Sequence, residues 1–266
     1  MGAKYPMDEL ADLSPPEHLV SFIGGGDFHK VGRRFVDRFK ELCAVQPDER
    51  VLDVGCGVGR MAVPLVSYLS DAGSYDGFDI SPEAIEWCSR EITTRHPNFR
   101  FELADVRNEK YNPGGTVRAQ DYSFPYPDDE FDVAVAASVF THLFPEEVQG
   151  YLSEIARVLK PGGRCLASFF LLNDESLELI SQGRSRVHFA EDRGAYWVTS
   201  RKLSGRRNPY RPGTDVALRH AYREEVVVGF YQHAGLRIKN PIQYGAWSGR
   251  DRTTSPTAQD LIAAER

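Results

Sequence analysis

From Asp27 onward the chain alternates between two hydrophobic rhythms. Val31, Phe35, Phe39 and Leu42 recur every three or four residues, with Arg33, Arg34, Asp37 and Lys40 on other faces. That spacing predicts an amphipathic helix, and Asp27 is placed to cap it. Short apolar runs then alternate with helical stretches. RVLDVG, YDGFDI, FRFELA, FDVAVAA and GRCLASFFLL read as buried strands; RMAVPLVSYL, SPEAIEWCSREITT and PEEVQGYLSEIARVL read as helices. Ser81 and Pro82 suit the cap and first turn of the second of these helices, and Pro64 fits the first turn of RMAVPLVSYL. Further on, REEVVVGFYQHAG predicts a helix ending at Gly235, and LRIKNPI and AQDLIAAE predict two closing strands. Ahead of Asp27, EHLVSFI is a short helix candidate with Ser14 as its cap.

Strands separated by helices imply crossover connections and a mainly parallel sheet covered on both faces. The expected fold class is therefore α/β, doubly wound. The expected division is a helical segment or lid over 1–45, a core over 46–172, an inserted cap over 173–222, and a closing helix and strands over 223–266. The cap is too long for a simple connection, and long insertions in compact domains are often lids or binding elements.

Composition narrows the classes. Of the 266 residues, 41% are hydrophobic and 26% charged, as in a globular domain, and no apolar run is long enough for a membrane span. The polar, acidic start reads as no secretory signal. Four scattered cysteines without CxxC spacing argue against a zinc site or a disulfide framework and suit a reducing cytoplasm. No metal-ligand spacing is seen. A net charge of −6 argues against a nucleic-acid partner. Yet Gly183 to Tyr222 holds nine basic residues against three acidic ones, with Phe189, Tyr196, Trp197 and Tyr210 among them. Such a segment suits an anionic or polyhydroxylated small-molecule acceptor. It reads equally well as a solvated basic surface.

Two glycine-rich stretches compete as a ligand loop. SFIGGGDFHK precedes a helix but follows no strand. DVGCGVG follows a strand and opens a helix, and Asp79 ends the next strand 20 residues after Gly59. An acid so placed can accept both hydrogen bonds of a ribose diol, or it can simply close a turn. Asp105 ends the following strand, where an adenine would lie; Asp121 is its rival. The glycine spacing is G-x-G-x-G rather than the dinucleotide G-x-G-x-x-G. Asp53, two residues before Gly55, would repel a pyrophosphate and suit a cationic amine.

VLDVGCGVGR, YDGFDIS, FELADV, FDVAVAASVFTHL and RVLKPGGR, in this order, resemble the class I S-adenosylmethionine-dependent methyltransferases over about Glu49 to Phe170. The resemblance implies a seven-stranded Rossmann-like sheet with an antiparallel last strand, and S-adenosylmethionine as cofactor. It implies that Asp53 holds the methionine ammonium, directly or through water, and that Gly55, Cys56, Gly57 and Gly59 line the methionine and ribose. Asp79 would bind the ribose hydroxyls, with Ile80 on the adenine. Asp105 and Val106 would read the adenine edge, and the backbone of Ala137 and Ser138 would face the methionine.

Transfer to an oxygen of a sugar, glycolipid precursor or secondary metabolite is the leading expectation; transfer to nitrogen or carbon is the alternative. A nicotinamide-dependent dehydrogenase and a non-catalytic S-adenosylmethionine-binding protein are further alternatives. His142, just beyond the fourth strand, is the candidate general base; it reads as well as a packing or capping residue. Gly25, Phe28 and His29 in the first glycine stretch, with Tyr196, Trp197 and Trp247, are candidates for a lid or acceptor site. A homo-oligomer is compatible with all of this.

Overall fold

The structure, a computed structural model, describes residues 12–108, 111–189, 191–199 and 219–266. Helix α1 spans Glu17–Phe22 and begins at Pro16, which makes no side-chain cap bond. Ser14 is not its cap: the serine hydroxyl lies 2.8 Å from His29 Nε2 instead. Helix α2 spans Phe28–Cys43, and the Asp27 carboxyl caps it by accepting from the Lys30 N–H at 2.8 Å. Its buried stripe is Phe28, Gly32, Val36, Phe39 and Cys43, while Val31 is exposed. The helix is thus rotated from the face that periodicity alone predicts. A Cβ on Gly32 would lie 2.3 Å from the Arg60 carbonyl oxygen, so the small residue lets the helix meet the following loop backbone to backbone.

Seven strands form the main sheet: β1 (Arg50–Val54), β2 (Ser74–Asp79), β3 (Phe99–Leu103), β4 (Phe131–Ala136), β5 (Leu159–Phe169), β10 (Arg237–Gln243) and β11 (Asp260–Glu265). Their order is β10-β11-β5-β4-β1-β2-β3. β1 pairs in parallel with β2 and β4, β2 in parallel with β3, and β10 antiparallel to β11. This is the expected doubly wound, mainly parallel sheet with an antiparallel last strand.

The chain falls into two compact units. The first comprises residues 1–118, 126–136 and 158–165 and carries β1 to β4. Between β1 and β2 lies α3 (Ala62–Val66), shorter than its sequence suggests. The Ser67 hydroxyl donates back to the Pro64 carbonyl at 3.1 Å, a bond that competes with helix continuation. Between β2 and β3, α4 (Pro82–Cys88) is capped by Ser81 as expected and ends in a π-helical turn over Ser89–Thr93.

The second unit comprises residues 119–125, 137–157 and 166–266. A 3-10 turn at Phe140–His142 leads into α5 (Pro145–Val158). The expected long strand GRCLASFFLL splits: after β5 comes β6 (Leu171–Leu172), which joins a separate four-stranded sheet. That sheet runs β6-β9-β8-β7, with β7 at Glu191–Asp192, β8 at Tyr196–Val198 and β9 at His220–Arg223. Helix α6 (Asp174–Ser181) opens this region through a capping box on Asn173. Helix α7 (Glu224–His233) follows β9, and Gly235 beyond it has φ +74°, a left-handed helix end. Phe170, Leu172, Ala221 and Trp247 form a buried cluster in this unit.

Candidate functional site

In the first unit the glycine loop leaves β1 with φ values of +74°, +54° and +69° at Gly55, Gly57 and Gly59. These are conformations that side-chain-bearing residues rarely adopt. The N–H groups of Gly55 and Cys56 both donate to the Phe78 carbonyl, at 2.9 and 3.0 Å, which ties the loop to the end of β2. The Gly57 N–H donates to Asp79 Oδ2 at 2.8 Å, and the Ser81 N–H to Asp79 Oδ1 at 2.9 Å. The Ile80 N–H bears on the same carboxylate, which with these donors still has acceptor capacity left. Burial pushes the Asp79 carboxyl up, against the pull of these N–H donors.

Asp53 is 1% exposed and accepts a hydrogen bond from the Tyr75 hydroxyl. Burial raises its carboxyl to about 7, the tyrosine bond lowers it, and the nearby Asp79 charge raises it. Asp53 is thus enclosed within the first unit with the Tyr75 hydroxyl as its partner. Tyr75 was not foreseen as a site residue; within YDGFDI it reads only as an apolar strand position.

Ile80 is half-buried, and Leu103, the register partner of Asp79 at the carboxyl end of β3, is exposed. Val106 is buried and bridges in parallel to Val117. The Asp105 carboxylate is exposed and already bonded to Thr116, accepting from its N–H at 3.0 Å and from its hydroxyl. Those bonds hold the Asp105 carboxyl below its ordinary range. Leu103 and Thr116 carried no signal in the sequence.

The stretch Ser21 to Asp27 lies against the glycine loop of the same unit. A Cβ on Gly57 would lie 2.9 Å from Ile23 Cγ2. The Gly25 carbonyl accepts from Arg60 Nη2 at 2.9 Å. His18 Nε2 meets Glu83 Oε1 at 2.6 Å, and the Phe22 and Tyr111 rings pack edge to face at 5.0 Å. Phe28 is buried beneath the Arg60 guanidinium, and His29 is held by Ser14 with its imidazole pushed down by burial.

In the second unit Ala137 is half-buried and Ser138 exposed, the latter with φ +61°. The Ser138 N–H donates to Ser168 Oγ at 2.7 Å, and both serine hydroxyls donate to Gln259 Oε1, at 3.0 and 2.6 Å. His142 lies near His220, whose imidazole is held down at about 4 by burial first and by His142 second. Phe144 packs on His220 at 4.7 Å, and Tyr196 meets His220 edge to face at 5.6 Å. Trp197 packs against the buried cluster.

Trp247 belongs to that cluster rather than to a lid. It is 3% exposed, and its indole N–H donates to Asp260 Oδ2 at 2.6 Å. Of the basic cap, Arg193 pairs with Glu191, whereas Arg201, Lys202, Arg206, Arg207, Arg211 and Tyr210 lie outside the described residues.

The first unit therefore offers a glycine loop with no room for a side chain at Gly57, an acceptor carboxylate at Asp79, and the apolar residues Ile80 and Leu103 at the ends of β2 and β3. These features fit an adenosine with a cationic tail. Residues 51–163 match the family model described as a methyltransferase domain. A S-adenosylmethionine-dependent methyltransferase from Methanosarcina mazei shares the fold, with TM-score 0.55 and 22% identity over 84% of this chain and 94% of that one. The chain carries a class I methyltransferase domain whose cofactor is S-adenosylmethionine.

Among curated relatives, an uncharacterized methyltransferase of Schizosaccharomyces pombe is 27% identical, over 66% of this chain and 64% of its own length. A fatty-acid O-methyltransferase of Mycolicibacterium smegmatis is 36% identical over 47% of this chain and 37% of its own. The mouse tRNA N(3)-cytidine methyltransferase METTL2 is 31% identical over 43% of this chain and 27% of its own. The chain thus spans less than two thirds of the length of each of these relatives.

Proposed function

We propose that the protein transfers the methyl group of S-adenosylmethionine to an oxygen of a small molecule. The cofactor supplies an activated sulfonium methyl; the protein supplies position and orientation. Asp79 holds the ribose diol, Ile80 and Leu103 flank the adenine, and Asp53 faces the ammonium through water.

The observation that carries the acceptor reading is the meeting of His142, Phe144, Tyr196 and His220 within the second unit. The segment just after β4 and the small cap sheet build one aromatic cluster there, with Phe144 43% exposed. A planar or apolar acceptor packs on such rings, and His142 takes its proton as general base. The fatty-acid O-methyltransferase relative supports this reading. The tRNA methyltransferase relative makes RNA the rival acceptor, and the expectation that no nucleic acid is bound is part of the proposal. So are a cytoplasmic location and the division into core and cap. Among the described residues no helix is long and apolar enough to cross a membrane.

The test is incubation with methyl-labelled cofactor and fractionated extract, with small-molecule, tRNA and protein pools assayed separately. Label in a small molecule, lost in His142→Gln at unchanged cofactor affinity, is the expected result. Label confined to tRNA overturns the acceptor class, and full turnover in the variant removes His142 from catalysis.

A further inference from the structure

Arg60 closes the glycine loop and places a positive charge in the seam between that loop and the stretch Ile23 to Phe28. Its Nη2 donates to the Gly25 carbonyl, and its guanidinium carbon lies 5.9 Å from the centre of the Phe28 ring. Its Nε is buried and has no hydrogen-bond partner among the described residues. No carboxylate among the described residues pairs with it. A guanidinium presents five N–H donors in a planar fork, and among the described residues one of the five is used. A buried, unpaired N–H on an uncompensated cation is costly in the free protein. An anion arriving in the seam at the terminal nitrogens offsets the charge.

The cofactor has one anionic group, the carboxylate of its methionine. Two acids, Asp53 and Asp79, stand at this loop already, and each repels that carboxylate. A cation beside the same loop offsets that repulsion, and Arg60 stands there, where Ile23 lies against Gly57 and the Gly25 carbonyl accepts from its guanidinium. We propose that Arg60 binds the carboxylate of S-adenosylmethionine through the donors it leaves unused, while it retains the Gly25 carbonyl. Cofactor and N-terminal stretch then share one guanidinium, and the GGG turn closes against the methionine end of the site. The inference rests on the cofactor and is independent of the acceptor.

The test is calorimetric binding to the full chain without acceptor. The two probes are S-adenosylmethionine and its decarboxylated form, which keeps the ammonium and the nucleoside. The wild type binds the decarboxylated probe about 10- to 100-fold more weakly, the range of hydrogen bonds to a charged group. Arg60→Met loses a similar factor for S-adenosylmethionine and changes less than about twofold for the decarboxylated probe.

Equal affinity of the wild type for both probes overturns the inference. So does an equal loss on both probes in the variant, which is the mark of a merely structural role. Should Arg60→Met fail to fold, Arg60→Lys carries the test, since it keeps the charge and loses the fork. Discrimination reduced in Arg60→Lys supports the assignment, and discrimination unchanged overturns it. Failure of the wild type to bind either probe overturns the cofactor assignment too, whereas binding without discrimination overturns this inference alone.

Discussion

The main-chain N–H of Gly57 donates to Asp79 Oδ2 at 2.8 Å, across 22 residues of sequence. One bond thereby sets both the shape of the glycine loop and the orientation of the carboxylate beside it. Replacing Asp79 by Ala removes the proposed ribose acceptor and leaves the Gly57 N–H unmet. Affinity for S-adenosylhomocysteine, measured by calorimetry, should fall by about 10-fold or more. The thermal midpoint should fall as well.

With Asp53 facing the ammonium as proposed, cofactor binding should depend on pH. Its carboxyl is raised to about 7 in the free protein, and an ammonium nearby favours the ionised form. Binding of S-adenosylmethionine should therefore strengthen from pH 6 to about 7.5 and release protons, detected in buffers of different ionisation enthalpy. 5′-Methylthioadenosine, which lacks the ammonium, should show no such rise. A flat profile for both ligands would remove Asp53 from the ammonium site.

Two buried acids should shape stability. Asp53 and Asp260 are both raised to about 7 from an ordinary 3.8, mainly by burial. Between those values the folded state holds more protons than the unfolded chain. Their contribution is present at acid pH and is lost as pH rises through about 4 to 7. Urea unfolding of the cofactor-free protein across this window should show a stability gain at the acid end that Asp53→Asn diminishes.

Gly32→Ala tests the close approach of α2 to the loop. The added Cβ would lie 2.3 Å from the Arg60 carbonyl, an atom of the backbone that cannot swing aside. A loss of about 1–3 kcal/mol in chemical denaturation is expected, with weaker cofactor binding as the loop shifts.

Trp247→Phe separates a core role from a lid role. The change removes the donor to buried Asp260, which also accepts from the N–H groups of Gly245 and Leu171 and lies 3.6 Å from Arg250 Nη1. Stability should fall by about 1–3 kcal/mol while cofactor affinity per folded molecule stays unchanged.

Local chemistry made much of this protein legible without coordinates. The rhythm of apolar runs marked the strands, because alternation of strand and helix admits few sheet arrangements. Asp27 and Ser81 capped the helices they precede, since a side-chain oxygen next to unpaired N–H groups acts within one turn. DVGCGVG marked a tight loop after β1, because the left-handed conformations at Gly55, Gly57 and Gly59 favour glycine.

What required the tertiary structure was every feature made by residues distant in sequence. Tyr75 meets Asp53 only because β1 and β2 pair in parallel with Asp53 opposite Gly77. The rotation of α2 follows from Gly32 touching Arg60, a contact no periodicity encodes. Trp247 belongs to the core because Asp260 awaits its indole N–H, though an aromatic residue in a loop reads equally as a lid. The GGG stretch, ambiguous as a string, acquires meaning from the Arg60 guanidinium at Gly25. Short-range steric and capping forces act between neighbours and are written in the order of residues. Burial, pairing of charges and close packing arise only when the chain has brought its distant parts together.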